Sequence, residues 1–510
     1  MYNDTLQNKN TSLKYSNNNH FFKSNIINIR HVLLAAIVAS FNILFYDNLF
    51  ASLIYVLLEL IILGYYFTKG EITKYIGSYL IFMCLSLEFD VLVGTGHFYG
   101  FKNFRIFGFN LGIITLVPIV LLTLKKGINI KKIKENYPLI FKFASIIFIM
   151  NFTGILFGLI NLLVNDNNIQ NISNSLTSFI GKSYSMISFP LLIIIAFGYL
   201  LTWESDRVKE LNSYLVAVLI GVVVSMMVSY VSGNFGYYDL KTLLVTNVIQ
   251  YLPFTLLIPF YKHFKSSKVI VIAAIIGTVL SLMYNAQGKL IIMYIFSPLV
   301  ICIILWRKKR FRFLLLVLLI LPLVLLFVIK VFGLLTETSL LFEIKLNQAL
   351  SLLKIWEPHW LINMPMSPRI RIIELINILY EYKEKPWMLL FGKGYMGSIT
   401  DHVGMLGTTF IVGSFSTAEW DNGTFYNVHG TLSTIFLYHG LFGLFFYLYM
   451  IKTVITNVTK NPWILFGGFW FLISYGFSAT ISSFGIAALL LGFLEITQNK
   501  IALNSNLNQK

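Results

Sequence analysis

The residues best suited to chemistry cluster late in the chain. Ser367-Pro368-Arg369-Ile370-Arg371 brings two guanidinium groups to the start of a polar-striped segment. A guanidinium is always charged and grips an oxyanion with paired N–H groups, so Arg369 and Arg371 suit a phosphate. The alternative for Arg371 is an ordinary helix-surface pair with Glu374. Next comes Phe391-Gly392-Lys393-Gly394-Tyr395. Gly392 and Gly394 free the backbone for close approach to a ligand and Lys393 adds a cation, although a plain structural turn has the same composition. It is not a P-loop, because GxxxxGK[ST] is absent. Then Tyr426-Asn427-Val428-His429-Gly430 sets an imidazole just before a long apolar run. An imidazole there can take a proton from a hydroxyl, or can simply be an interfacial histidine.

Further upstream, Asn285-Ala286-Gln287-Gly288-Lys289 forms a tight turn between two apolar runs. Lys289 there suits a phosphate partner or snorkelling to lipid headgroups. Asp401, His402, Glu419, Asp421 and His429 follow no compact ligand spacing such as HExxH, so no metal is expected. No GxSxG-type elbow supports a serine nucleophile. Glu59, Glu88, Asp90 and Lys142 fall inside apolar runs, where charge is expensive and often functional; Glu88 and Asp90 read as sitting wet, near the outer end of theirs.

The elements that must position these groups are membrane helices. Of 510 residues, 57% are apolar and 12% charged, about half the charged share of a soluble domain. Cys84 and Cys302 lie in apolar runs and offer neither a disulfide framework nor a metal site. No cleavable signal peptide is evident, and residues 1–30 read as a polar, Asn-rich cytoplasmic tail. About fourteen runs reach spanning length. They cover 31–46, 49–68, 71–93, 108–124, 137–164, 185–203, 212–230, 244–261, 268–284, 289–306, 311–332, 431–451, 462–479 and 481–498. The fold class is therefore an all-α polytopic membrane protein.

The net charge of +17 follows from orientation. With the N-terminus inside, alternate loops hold Lys69 and Lys74, then Lys125, Lys126, Lys131, Lys132 and Lys134, then Arg207 and Lys209. Lys262, Lys265, Lys268, the run Arg307–Arg312, Lys452, Lys460 and both tails complete that side. Outside loops keep only Lys102, Arg105, Lys182, Lys241 and Lys289. That is about 25 cations against 5, as the positive-inside rule requires, so nucleic acid is not an expected partner. The bundle then divides into about eleven spans over 31–332, a large outer loop over 333–430, about three spans over 431–498 and a cytoplasmic tail over 499–510. The loop is expected to hold two amphipathic helices, over 339–356 and 369–385, lying apolar face down on the membrane, with Pro386 ending the second. The rest reads as irregular, with a short strand near Thr408–Val412. Its aromatic residues Trp387, Tyr395, Trp420, Phe425 and Tyr426 suit stacking on sugar rings or an interfacial belt.

These pieces together resemble the O-antigen ligase and O-antigen polymerase (Wzy-type) superfamily. The pattern is an arginine at a helix start (Arg371), a proline about fifteen residues on (Pro386) and a Gly-x-Gly (Gly392-Lys393-Gly394). A histidine (His429) precedes the next span, and Gly440-Leu441-Phe442-Gly443 follows it. Motif support covers about residues 270–450. Two departures stand out: Gln287 replaces the arginine of the family's upstream Ser-Arg-Gly-like turn, and the proline-to-glycine spacing is longer by a few residues.

The resemblance implies a membrane glycosyltransferase that needs neither metal nor other cofactor. Its substrate is an oligosaccharide on undecaprenyl diphosphate in the outer leaflet of a bacterial inner membrane. A polymerase joins such repeat units into O-antigen or a related surface or capsular polysaccharide. A ligase of the same superfamily instead moves the glycan to a lipid A core or a protein; a flippase or ion-coupled transporter is the alternative from another class. Membrane lipids, a chain-length regulator and a flippase are the partners such a role brings. On this reading Arg369, Arg371 and His429 are catalytic, while Gln287, Lys289, Gly392, Lys393, Gly394, Tyr395 and Tyr426 bind diphosphate or glycan.

Overall fold

The computed structural model describes residues 28–45, 48–85, 104–106, 109–125, 130–165, 208–232, 299–307, 309–320, 356–406, 417–426 and 428–459, with single residues or pairs between and beyond them. The described chain is mostly helical. Helices α1 (Ile29–Leu44), α2 (Leu49–Thr68) and α3 (Ile72–Leu85) come first. Each of the first two starts on an asparagine that satisfies an orphan backbone donor: Asn28 accepts from Arg30 N, and Asn48 from Ala51 N. Gly70, at φ +66°, makes the turn from α2 to α3.

A small antiparallel pair, β1 (Arg105–Ile106) and β2 (Phe109–Asn110), leads into α4 (Leu111–Ile114) and α5 (Leu116–Lys125). The continuous span expected over 108–124 is thus opened by a strand and broken at Thr115. The reason lies in the side-chain bonds at the break. Thr115 Oγ1 reaches back to the Leu111 and Gly112 carbonyls, and two α3 tyrosines cap the break, Tyr75 donating to Thr115 O and Tyr79 to Gly112 O. Helices α6 (Ile130–Asn136), α7 (Pro138–Asn165) and α8 (Val208–Val231) follow. α1, α3 and α8 pack together, with Gly77 of α3 so close to Tyr214 of α8 that a Cβ would lie 2.2 Å from its ring.

The later segment holds α9 (Trp360–Asn363), α10 (Met366–Glu384), α11 (Pro386–Phe391), a 3₁₀ turn over Gly394–Met396, β3 (Ile399–Thr400), α12 (Thr417–Asn422) and β4 (Thr424–Phe425). β3 and β4 pair antiparallel, Ile399 opposite Phe425. α13 (Thr431–Val458) is the last of the described elements.

Among the described residues three helices are long and apolar enough to cross a membrane: α2, α7 over Pro138–Asn161, and α13. α2 buries Ser52, Tyr55, Val56, Glu59 and Leu63 and exposes Leu53, Leu57, Leu58 and Ile61. A row of large apolar side chains on an outer face suits hydrocarbon, not water. Of the other expected spans, 31–46, 71–93 and 212–230 contain helices of fitting position, and 289–306 and 311–332 contain helical pieces at 299–307 and 311–320. The spans at 185–203, 244–261, 268–284, 462–479 and 481–498 lie wholly or almost wholly outside the described residues, as do both tails, Glu88, Asp90, the helix expected over 339–356 and the strand expected near 408–412.

Two apolar cores result. The first unites α1–α3, α5, α7, α8 and the later part of α13 through Tyr447, Met450 and Val454. The second joins Ile373, Ile378 and Tyr382 of α10, Met388, Tyr395, Ile399, Phe415 and Phe425 to Phe436, Leu437 and Tyr438 at the start of α13. The boundary expected at residue 430 therefore cuts through a core.

Candidate functional site

The site is built on α10. Glu374, Asn377 and Glu381 share one face at helical spacing, and all three are buried. The polar stripe of this amphipathic helix thus turns inward onto the loop, while Leu379 and Tyr380 are exposed. In this helix, expected to lie apolar face down on the membrane, the polar stripe is packed against protein. The cause is backbone bookkeeping. Among the described residues the loop has only two-residue strands, which leave many N–H groups without a ladder partner, and α10 supplies acceptors for them. Asn377 accepts from Val403 N and donates to Asp401, which itself accepts from Met405 N and Leu406 N. Glu381 accepts from Thr400 N at 2.7 Å and from its hydroxyl at 2.8 Å. Glu374 holds the chain at His429.

That third anchor is the densest in chemistry. The His429 peptide N–H lies 2.9 Å from each Glu374 oxygen, and His429 Nδ1 lies 2.6 Å from Oε1. Arg371, one turn earlier on α10, donates from Nε to the His429 carbonyl at 3.2 Å. Burial pushes the Arg371 guanidinium below its usual value and the Glu374 charge pulls it back up; it remains a cation. The Phe415 ring meets the imidazole edge to face at 4.9 Å. His429 immediately precedes Gly430, the N-cap of α13, where the helix dipole adds partial positive charge. An imidazole, a guanidinium and a carboxylate therefore converge at one end of a helix long enough to cross a membrane.

The other expected site residues go elsewhere. Arg369 is two residues from Arg371, about 200° around the helix. It donates to the Ile362 carbonyl at 3.0 Å, so the two arginines do not form one clamp. Lys393 is not a cation held out to a ligand: its Nζ pairs with Glu381 and donates to Ser398 O at 2.7 Å. Gly392 and Gly394 approach protein, not ligand. A Cβ on Gly392 would lie 2.4 Å from His439 N, and one on Gly394 would lie 2.0 Å from Gly158 N of α7. Tyr395 is fully buried, donating to Asn151 Oδ1 at 2.9 Å and packing edge to face on Tyr438 and His439. It has no face to offer a sugar. Phe425 is likewise buried, against Phe415 and Trp420. Tyr426 is half-buried, its N–H held by Glu419 at 2.7 Å. Gln287 and Lys289 lie outside the described residues.

These loop contacts clamp a broken helix. α13 has a non-helical residue at Gly440, φ +58° and ψ −150°, which removes the regular acceptor pattern one turn before it. Tyr382 Oη donates to Phe436 O at 2.7 Å and Leu437 O at 3.0 Å, and Lys393 N donates to Leu437 O at 2.8 Å. The Gly-x-Gly segment is thus the plug that lets α13 break.

Glu374 is the residue whose part sequence reasoning missed. It was legible only as a possible partner for Arg371, three positions away; its contact to His429 spans 55 positions and needs the fold. Compared with known proteins, the chain matches no family model, no curated protein and no solved structure.

Proposed function

We propose that this chain is a polymerase of lipid-linked glycans, joining oligosaccharide repeat units carried on undecaprenyl diphosphate at the outer face of a bacterial inner membrane. The observation that carries the reading is the meeting of His429 and Arg371, 58 positions apart, at the start of α13. Glycosyl transfer from a lipid diphosphate needs two things. The acceptor hydroxyl must lose a proton, and the leaving diphosphate gains charge as its bond to the sugar breaks. His429 is the proton acceptor and Arg371 the cation for the diphosphate, both at one end of a helix long enough to cross a membrane. The same motifs fit the superfamily resemblance, with Gln287 and Lys289 as further donor contacts. Fourteen spans, cytoplasmic termini and an outer loop complete the proposed topology. A flippase that delivers the donor and a chain-length regulator are the proposed partners.

The test is the glycan ladder of a deletion strain complemented with wild type, His429→Ala, Arg371→Ala or Arg371→Lys, with protein levels checked by blot. Only wild type is expected to restore long chains, the variants leaving single capped repeat units. Lysine fails because an ammonium cannot hold the His429 carbonyl and a phosphate in the fixed guanidinium geometry. Long chains stranded on the carrier lipid would make the protein a ligase. An intact ladder in the deletion strain would remove the glycan reading and favour transport.

A further inference from the structure

We infer that Glu374 is a positioning residue that sets the proton-accepting nitrogen of His429. This rests on the polymerase reading and adds a role to it. Glu374 is fully buried. A buried carboxylate must be hydrogen-bonded and charge-compensated to be tolerated. Both conditions are met by the groups around His429: the ring Nδ1 at 2.6 Å, the peptide N–H at 2.9 Å and the Arg371 charge one turn away.

A carboxylate only accepts, so the shared proton resides on Nδ1 and the lone pair resides on Nε2. One side chain thus fixes both the backbone and the tautomer of His429, while the Phe415 ring, edge to face with the imidazole, limits its rotation. In the transfer step the acceptor O–H bond breaks and its proton goes to Nε2. The oxygen forms its bond to the anomeric carbon as the bond from that carbon to the diphosphate oxygen breaks, the electron pair leaving with the diphosphate. The imidazolium so formed lies against the Glu374 charge, then returns its proton to the released diphosphate or to water. If Glu374 merely anchored the loop, the peptide N–H would suffice; the separate bond to the ring is what assigns it to His429.

The test uses full-length protein in nanodiscs with a synthetic lipid-diphosphate repeat unit. Glu374→Gln, which keeps shape and removes charge, is expected to lower kcat roughly 100-fold with donor KM within about twofold of wild type. Glu374→Asp is expected to retain more kcat than the glutamine variant. Glu374→Gln added to His429→Ala should cost nothing further, because it acts through the ring. A wild-type kcat in Glu374→Gln, or losses that multiply in the double variant, would overturn the assignment. Solid-state ¹⁵N spectra of histidine-labelled protein address the pair without turnover. A protonated Nδ1 signal that vanishes in His429→Ala should shift in Glu374→Gln, and an unshifted signal overturns the assignment. Wild-type protein with that signal but no glycan transfer would refute the polymerase reading and leave the pairing standing.

Discussion

Replacing Gly440 with alanine probes the joint between loop and membrane helix. Gly440 sits at φ +58°, ψ −150°, a conformation open in practice only to glycine. Forcing an L-residue into it costs about 1–3 kcal/mol. The new methyl would also lie 2.6 Å from Leu389 O and 2.7 Å from Gly392 N and Leu390 C, all of them backbone atoms with little freedom to yield. Overpacking of this kind costs about 1–3 kcal/mol more. The sum is about 2–6 kcal/mol. Relief would require α11 to retreat, taking the Lys393 N–H off Leu437 O. The assay is unfolding by graded SDS in mixed micelles, with limited proteolysis of residues 386–400 as a local readout. Gly64→Ala is the control, since a methyl there meets nothing within 4 Å; it should leave stability unchanged or raise it by up to about 1 kcal/mol. A Gly440→Ala protein that unfolds with wild type and keeps its loop protected would refute the clamp.

Two further positions have expected outcomes. Tyr382→Phe removes the donor shared by Phe436 O and Leu437 O and should destabilise by about 1–3 kcal/mol in the same titration. Burial first, and the Glu381 charge second, hold the Tyr382 phenol well above its usual value. Its contribution is therefore complete below about pH 10, where an unfolded tyrosine ionises, and is lost as pH rises beyond it. Stability measured from pH 8 to 11 should fall less steeply in Tyr382→Phe. Lys393→Met strands the buried Glu381 carboxylate and should cost about 3 kcal/mol or more, while adding Glu381→Gln should recover part of that; equal losses in the single and double variants would show that the pair is not coupled.

Much of the helical frame was legible because hydropathy and capping act locally. α2 spans the expected 49–68 because Asn48 caps its start and Gly70 turns the chain after its end. α7 and α13 follow from unbroken apolar runs, and α10 from its polar spacing. What failed depended on contacts distant in sequence. The apolar run of 431–451 hides the break at Gly440, since a kink leaves no trace in hydropathy when its carbonyls are capped by a tyrosine from another element. Thr115 hides a break in the same way. Lys393 read as a ligand cation because Glu381 lies twelve positions back on α10, with the whole of α11 between them. Pro386 does stop α10, which runs to Glu384, but a proline at the first helical position also starts α11. At the site, His429 and Arg371 were legible as types at the right spacing. Their contact, and the turn of the α10 polar face toward the loop, depended on where the loop needed acceptors.

The break at Gly440 also decides how this protein can be taken apart. Residues 431–439 lend Phe436, Leu437 and Tyr438 to the core shared with α10 and β3, and the 3₁₀ turn lodges its Tyr395 between α7 and α13. A soluble surrogate cut at the apparent membrane boundary would lose one wall of its own interior and expose Tyr382, Ile399 and Tyr395 together. For antibody selection or ligand screening, the smallest faithful piece keeps the first arm of α13 and offers a substitute for the α7 face at Asn151, Gly154 and Gly158. Any epitope raised against a shorter fragment would report a shape that the intact protein does not present.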